Sequence, residues 1–220
     1  MTEVFKADFH IHTEYSVDCD SPLRKIVDRC LELGINCIAI ADHGTAEGAL
    51  KIQDIAPFTV IVAEEILTPY GEIMGMFLKE SIPTHISIEE AISRIREQDG
   101  LVSLPHPFDT FRGLKLDSAS LESLARQADI IEVFNARSSF LRPTIKARTL
   151  ARKLGLPEVA GSDAHTIGEI GNAYVEMPAF KGKNDFLQAA AQGKILGHRT
   201  NPLVHLASFT HRLKNQLQEQ

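Results

Sequence analysis

The stretch KADFHIHTEYSVDCD, from Lys6 to Asp20, covers the end of the first predicted β-strand and carries several metal-binding side chains. His10 and His12 are separated by one residue, with Asp8 two residues before the pair and Asp18 six residues after it. Because alternate side chains of a strand share a face, both imidazoles should point the same way. An HxH pair alone is a weak signal, since two histidines can also be alternating surface residues.

The composition of the chain is that of an ordinary globular protein. It has 220 residues, of which 44% are hydrophobic and 24% charged, and we expect one domain over residues 1–220. The net charge of -6 gives no overall attraction to nucleic acid or to anionic membranes. We therefore expect no long nucleic acid partner and no membrane partner, while the oligomeric state stays open.

The expected location is the cytoplasm. The N-terminal sequence MTEVFKADFHIH has no long apolar run, and no later segment reaches the roughly 18 apolar residues of a membrane span. The three cysteines, Cys19, Cys30 and Cys37, lack the spacing of a disulfide framework, so we expect reduced thiols.

Short β-branched runs alternate with amphipathic helical segments as far as about Met177, which is the pattern of βα units around a parallel sheet or barrel. The predicted strands are residues 4–9, 36–40, 58–63, 73–78, 101–104, 130–134 and 158–160. Helices are predicted after Ser21 and Ser87 and over residues 45–55, 120–127, 143–154, 185–192 and 203–217. The last of these, within residues 200–220, is expected to close the barrel floor.

Two predicted helices have recognisable ends. Ser21 is a candidate N-cap with Pro22 in the first turn, and Gly34 should end that helix. Ser87 and Glu90 have the spacing of a capping box at the start of another.

The segment EEILTPYGEIMGMF, residues 64–77, interrupts the alternation of strands and helices. Its turn at residues 69–71 is too short to hold a helix, which predicts a β-hairpin. The hairpin would carry Glu72 back toward the end of the strand at Glu65. Alternation along that strand should direct only one of Glu64 and Glu65 into the barrel.

Five of the nine histidines fall where a predicted strand gives way to a loop. These are His10, His12, His43, His106 and His165. The carboxyl ends of parallel strands open on one face of a barrel, so these imidazoles should converge with nearby acids. Imidazole and carboxylate suit Zn²⁺, Mn²⁺ or Fe²⁺, and so many polar groups are costly to bury without a cation. The other four histidines, His85, His198, His205 and His211, lack acidic neighbours and are assigned to structural positions.

Six motifs, in the order DFHIHTEYSVD, AIADHG, EEILTPYG, LVSLPHP, IEVFNAR and GSDAH, resemble those of the PHP (polymerase and histidinol phosphatase) family of metal-dependent phosphoesterases. The resemblance covers residues 8 to about 171. It implies an α/β fold, a distorted (β/α)7 TIM-like barrel with three divalent metal ions, zinc, manganese or iron, at the carboxyl ends of the strands.

The resemblance also implies a ligand set. One ion would be held by His10, His12, Glu65 and Asp163. A second would share Glu65 with His106 and Glu72, and the third would be held by Asp18, His43 and His165. The family often has histidine where this chain has Glu72, and the extra carboxylate favours Mn²⁺ or Fe²⁺.

Other residues are assigned supporting roles by the same resemblance. Asp8, Asp42, Glu132 and Asn135 are expected to orient the imidazoles or to bond bound water. Arg137 and Arg112 lie just beyond strand ends, where a guanidinium can bind phosphate oxygens, although either can equally be a surface arginine.

These residues predict hydrolysis of a small phosphate ester, such as a nucleotide or sugar phosphate, by a metal-bound hydroxide. Asp163 and Asp42 are the predicted catalytic residues, with Asp42 and metal-bound water both open as proton donors to the leaving group. Hydrolysis of a C–N bond, as in amidohydrolases, is one alternative. A non-catalytic metal-binding module is another.

Overall fold

The computed structural model describes residues 4–201. Within that range the strands are β1 (Val4–Ile11), β2 (Cys37–His43), β3 (Thr59–Thr68), β4 (Gly71–Met76), β5 (Leu101–Leu104), β6 (Ile130–Asn135), β7 (Glu158–Gly161), β8 (Ala173–Pro178) and β9 (Lys194–Gly197). The helices are α1 (Leu23–Leu33), α2 (Glu47–Gln53), α3 (Ile88–Glu97), α4 (Ser118–Ala125), α5 (Leu141–Leu154) and α6 (Lys183–Ala190). The predicted closing helix, His205 and His211 lie outside the described residues.

The strands form one sheet in the order β7-β6-β5-β4-β3-β2-β1-β8-β9. β1, β2 and β3 are parallel, as are β5, β6 and β7, whereas β4 runs antiparallel to both of its neighbours. The chain after β7 returns to β1, where Asp163 N donates to His10 O at 2.7 Å and His12 N donates to Ala164 O at 2.9 Å. The sheet is therefore a nearly closed barrel, which confirms the predicted α/β barrel class.

Each of the seven predicted strands overlaps an observed one, but β8 and β9 were not predicted. β8 pairs antiparallel with the first half of β1, and β9 pairs with β8. In β8 the buried residues Ala173, Val175 and Met177 alternate with more accessible ones. This alternation is visible in the sequence and was a usable signal. β9 has only four residues, none of them fully buried, and carries no such pattern.

The predicted hairpin is confirmed, since β3 and β4 pair antiparallel up to Thr68 opposite Gly71. Because β4 is reversed, its first residues lie at the end of the barrel where the parallel strands finish. Among the described residues, no helix has the length and apolar character needed to cross a membrane. The three cysteines are buried and free.

Two of the predicted helix ends are confirmed. Ser87 accepts a hydrogen bond from Glu90 N at 3.1 Å at the start of α3, as the capping-box spacing predicts. Gly34 adopts a left-handed conformation, with φ of 65°, and ends α1.

The predicted N-cap at Ser21 is wrong. α1 begins at Leu23, with Pro22 in the N-cap position. The Ser21 hydroxyl instead donates to the carbonyl of His165 at 3.4 Å, and Glu14 Oε1 accepts from Leu23 N at 3.2 Å. A carboxylate from the preceding loop thus bonds a free N–H of the helix, while Ser21 ties this loop to the chain after β7.

The barrel interior opposite the carboxyl ends of the strands is filled by phenylalanines. Phe186 of α6 is fully buried, and its ring centroid lies 5.5 Å from Phe9, 5.2 Å from Phe77 and 5.1 Å from Phe180. Phe180 in turn contacts Phe5 edge-on at 5.1 Å. We call these five residues the aromatic floor.

A β-bulge in β1 changes which side chains face the interior. Asp8 and Ile11 are three residues apart on β1, but their partners on β2 are only two residues apart. The extra residue shifts the alternation of the strand. Before the bulge Phe9 joins the aromatic floor, and beyond it His10 and His12 face the interior while Ile11 packs in the helix layer.

Candidate metal centre

The carboxyl end of the barrel brings together five imidazoles and four carboxylates from six strand ends. They are His10, His12, Asp18, His43, Glu65, Glu72, His106, Asp163 and His165. Their ligand atoms form overlapping groups within which the atoms lie no more than 4.8 Å apart. All nine residues of the predicted ligand set therefore lie in one cluster, which we call the mouth.

The deepest part of the mouth surrounds the two histidines of β1. His10 Nε2 and His12 Nε2 are 3.1 Å apart. Glu65 Oε2 lies 3.3 Å from the first and 3.5 Å from the second, and Asp163 Oδ1 lies 3.7 Å and 3.3 Å from them. Two imidazoles and two carboxylates thus face one point.

A second group lies nearer the solvent. Asp18 Oδ2 is 3.5 Å from His43 Nε2 and 3.2 Å from His165 Nε2. Asp18 and His165 lie in the loops after β1 and β7, and His43 is the last residue of β2. They are the residues that the resemblance assigns to the third ion.

A third group is built around the hairpin. The reversed β4 places Glu72 Oε1 3.4 Å from His43 Nδ1 and Glu72 Oε2 3.8 Å from His106 Nε2. Glu65 lies between the groups, because its Oε1 is 3.1 Å from His106 Nε2 while its Oε2 faces His10. The position of Glu65 suits a carboxylate shared between two cations.

The ring orientations are held by hydrogen bonds on the far side of the imidazoles. Glu132 Oε1 lies 3.0 Å from His10 Nδ1, and the Asp163 carbonyl lies 2.9 Å from His165 Nδ1. A proton on each Nδ1 leaves the Nε2 lone pair directed into the mouth. Glu132 Oε2 also accepts from His106 N at 2.8 Å and from Asn135 at 3.0 Å.

The Asp8 carboxylate accepts hydrogen bonds from backbone N–H groups rather than from an imidazole ring. It accepts from His10 N at 3.3 Å, from Ser162 N at 2.8 Å and from Gly171 N at 3.0 Å. Burial raises the pKa of Asp8 to about 6. These bonds hold the ends of β1 and β7 against each other.

Asp42 lies away from the mouth, which argues against its predicted role as proton donor. It is fully buried and accepts from Thr13 N at 2.6 Å and from Thr13 Oγ1 at 2.7 Å. A Cβ at Gly48 would lie 2.2 Å from Asp42 Oδ2, so α2 covers the carboxylate. Alternation along β2 explains the outcome, because His43 points inward and Asp42 therefore points outward.

The same alternation separates the two adjacent glutamates of β3, as predicted. Glu65 enters the mouth, whereas Glu64 Oε2 accepts from Ile82 N at 2.9 Å outside the barrel. Burial, with a contribution from Asp42, raises the pKa of Glu64 to about 7.

The two predicted phosphate-binding arginines have different surroundings. Arg112 lies at the rim, contacts Asp163 through Nη1 and donates through Nη2 to Asn135 at 3.3 Å. Burial opposes its charge, but Asp163 and Asp109 together raise the pKa of Arg112 above its ordinary value. Its side chain keeps 30% exposure, so it can reach a substrate.

Arg137 is buried, and its Nε lies 3.0 Å from Glu169 Oε1. The other oxygen of Glu169 accepts from His165 N at 3.1 Å and from Thr166 Oγ1 at 3.0 Å. This placement does not support direct phosphate binding by Arg137. The pair instead positions the backbone that carries His165.

Sequence reasoning also missed Ser16. Its hydroxyl lies 3.3 Å from His12 Nδ1, donates to Asp18 Oδ1 at 3.1 Å and accepts from His43 N at 3.3 Å. Ser16 stands inside the first motif, two residues before Asp18, and that proximity was the available signal. Glu169 had no comparable signal, because its partner Arg137 is distant in the sequence.

The electrostatics of the mouth favour cations. Burial alone would lower the pKa of His43, but Asp18, Glu65 and Glu72 raise it to about 10. Burial and the charge of His165 lower the pKa of His12 to about 3, so that ring is neutral, as a ligand must be.

Two further observations fit bound metal. Asp163 Oδ1, which faces His10 and His12, is buried without a hydrogen-bond partner among residues 4–201; His106 Nδ1 is also unpartnered there, although the ring atom that faces Glu65 is Nε2. Both residues also have positive φ, 55° for Asp163 and 27° for His106, a strained conformation for non-glycine residues that clusters at functional sites. Imidazole and carboxylate groups with an orphaned oxygen form a donor set suited to divalent metal ions.

Comparisons with known proteins identify the family of this chain. The PHP domain model matches residues 8–97, and a PHP-associated model matches residues 145–195. An uncharacterized protein of Methanocaldococcus jannaschii is 36% identical over 174 residues, which cover 78% of this chain and 70% of that protein. The chain belongs to the PHP family.

Solved structures share the fold of this chain at low identity. One is a two-domain protein from Bacteroides vulgatus containing a predicted PHP-like metal-dependent phosphoesterase, with a TM-score of 0.71 and 16% identity over 96% of this chain and 70% of that chain. Another is PsfC from Pseudomonas syringae, with a TM-score of 0.68 and 16% identity over 96% of this chain and 99% of that chain. At this identity the likeness concerns the barrel.

Proposed function

We propose that this PHP protein is a metal-dependent hydrolase of small phosphate esters. The observation that carries the proposal is the convergence of nine imidazole and carboxylate side chains in one mouth, with a buried Asp163 oxygen that has no hydrogen-bond partner within the described part of the chain. The Bacteroides vulgatus protein, described as containing a predicted metal-dependent phosphoesterase, has the same fold and supports the assignment.

The ligands we propose are those that the mouth brings together. His10, His12, Glu65 and Asp163 form the deep group, Asp18, His43 and His165 the outer group, and Glu72 with His106 extends the deep group across Glu65. Bound divalent cations supply water of lowered pKa and neutralise charge on the phosphoryl oxygens.

The protein supplies orientation and one cationic side chain at the rim. Glu132 and the Asp163 carbonyl fix the tautomers of His10 and His165, so that lone pairs face the cluster. Arg112 lies on the rim beside Asp163, where its guanidinium can take a phosphoryl oxygen through paired hydrogen bonds. Arg137 holds Glu169 and thereby the backbone of His165.

The cavity in front of the mouth suits a small substrate. It has a volume of about 440 Å³ and is bordered by Asp18, His43, Glu72 and Arg112. This volume lies at the lower end of the roughly 300–1,000 Å³ of small-molecule sites. The chain is net negative, which gives a long polyanion no general attraction.

The test is hydrolysis by the purified protein after loading with Mn²⁺, Zn²⁺ or Fe²⁺. A panel of phosphate monoesters, diesters and amides separates the activities, and we expect turnover of esters only. His12→Ala should remove turnover and lower bound metal, whereas His198→Ala, an exposed histidine outside the mouth, should change neither. Turnover of amides alone, or bound metal without turnover of any ester, would show that the proposal is wrong.

A further inference from the structure

The cavity in front of the mouth has a second wall that the proposed chemistry does not use. Besides the candidate ligands it is lined by Leu67, His85, Phe111 and Lys115. Phe111 is 78% exposed, the highest exposure among the large hydrophobic side chains in residues 4–201. Exposed Val17 and Leu67 border the same cavity. An apolar rim around a polar centre is typical of a ligand site.

The loop that presents Phe111 is held in place by hydrogen bonds. Asp109 Oδ1 accepts from Phe111 N at 3.0 Å and from Arg112 N at 3.2 Å, and Asp109 Oδ2 accepts from Ser138 Oγ at 2.7 Å. At the other end Lys115 N donates to the Tyr70 carbonyl at 2.7 Å. The ring is therefore exposed on a fixed loop.

The order of residues in this loop matters for a phosphate ester. From the rim of the mouth, Arg112 contacts the buried Asp163 of the deep group, and Phe111 is the residue immediately before Arg112. A phosphoryl group bound at Arg112 would place the alcohol part of the ester along Phe111 and Leu67. Lys115 Nζ donates to the Thr110 carbonyl at 3.2 Å and puts a positive charge on the same rim.

We propose that Phe111, Leu67 and Lys115 form a leaving-group subsite selecting phosphate esters whose alcohol carries a flat aromatic ring with an anionic substituent. This inference rests on the proposed phosphoesterase function. The aromatic faces stack in an offset or edge-on arrangement, and Lys115 pairs with the substituent. Phe111 and Lys115 are specificity residues, and the reaction itself is the same for every ester.

The test compares ethyl phosphate, benzyl phosphate and 4-carboxybenzyl phosphate as substrates of the metal-loaded protein. All three release a primary alcohol of similar reactivity, so differences in kcat/KM report binding of the alcohol part. We expect benzyl phosphate to be favoured over ethyl phosphate by roughly 3- to 10-fold, the range of one aromatic contact. The carboxylate should add roughly 2- to 5-fold, the range of an exposed ion pair.

Two variants assign these preferences to residues. Phe111→Ala should remove the preference for benzyl over ethyl phosphate, chiefly by lowering kcat/KM for benzyl phosphate. Lys115→Gln should remove only the gain from the carboxylate. Phe140→Ala, an aromatic residue with 55% exposure that does not line this cavity, is the matched control and should change no ratio.

The outcomes separate this inference from the proposed function. Failure of the wild-type protein to hydrolyse any ester overturns both. Equal turnover of the three esters, with ratios unaffected by Phe111→Ala, overturns the subsite alone. If Phe111→Ala changes the oligomeric state in analytical ultracentrifugation but no kcat/KM ratio, Phe111 belongs to a protein contact and the subsite is again wrong.

Discussion

The two ends of the barrel interior are built from opposite chemistry. The aromatic floor packs phenylalanine rings at centroid distances of 5.1–5.5 Å around Phe186, which is fully buried. The mouth buries imidazoles and carboxylates at comparable depth, with His10, His12 and Glu65 at 0%, 0% and 1% exposure. Burial stabilises the floor directly, whereas the mouth is costly to bury unless cations compensate its charges. We therefore expect the aromatic floor to stabilise the fold, and the stability of the mouth to depend on cations that compensate its charges.

The largest expected effect comes from the mouth. Asp163→Ala removes the proposed ligand oxygen that lies near both His10 and His12, and we expect kcat/KM to fall roughly 1000-fold or more. Circular dichroism should remain that of the folded protein, because no core packing is lost. Activity is measured alongside bound metal, and the metal is determined by mass spectrometry. Activity retained in this variant would contradict the proposal that the mouth carries the function and the floor the stability.

The floor should show the reverse pattern. Phe186→Ala removes a fully buried ring and should lower the free energy of unfolding by about 3–5 kcal/mol. Metal bound per folded molecule should not change. Urea unfolding gives the stability, and Phe140→Ala on the surface is the control, with an expected change within about 0.5 kcal/mol. If the fully folded Phe186→Ala variant bound less metal than wild type, the proposed separation of the floor from the mouth would be wrong.

Glu64 allows a sharper comparison within one strand, because it is buried next to Glu65 but outside the mouth. Its pKa rises from 4.5 to about 7, chiefly through burial. The folded protein thus keeps a proton that the unfolded chain releases, so this group's contribution to stability falls as pH rises from about 4.5 to 7. Glu64→Gln should remove that loss and stabilise the protein by about 2–3 kcal/mol at pH 8 relative to wild type, with little effect at pH 4.5.

The measurement for Glu64 is urea unfolding across this pH range in excess chelator, so that metal release with pH does not contribute. Glu47→Gln, at an exposed position on α2, serves as the control. A pH-independent difference between Glu64→Gln and wild type would show that the carboxylate is not protonated in the folded protein.

The smallest expected effect concerns the support of the mouth. Glu169→Gln weakens the ion pair with Arg137 that positions the His165 backbone, and metal affinity should fall roughly 10- to 100-fold with the fold intact. Isothermal titration with Mn²⁺ measures the affinity. Glu158→Gln also loses arginine partners, but outside the mouth, and should leave the affinity unchanged.

Much of the placement of the residues in and around the mouth can be predicted from the sequence. Strand alternation correctly predicts that only one of Glu64 and Glu65 points inward, and the short turn at residues 69–71 predicts the hairpin that brings Glu72 to the mouth. The same rule, applied to Asp42 beside the inward His43, argues against the proton-donor role that Asp42 was assigned. Ser21 was misassigned because Glu14, which bonds the first N–H of α1, lies in a loop whose path the sequence does not show.

The sequence by itself determined which imidazole and carboxylate side chains lie at strand ends, because periodicity and turn residues act over a few neighbouring positions. Only the tertiary structure decided which side chains of β1 face the interior, because one extra residue at the bulge lets both Phe9 and His10 do so. It also decided that Arg137 pairs with Glu169. Both outcomes depend on contacts between strands and loops far apart in the chain, and local pattern carries no information about such contacts.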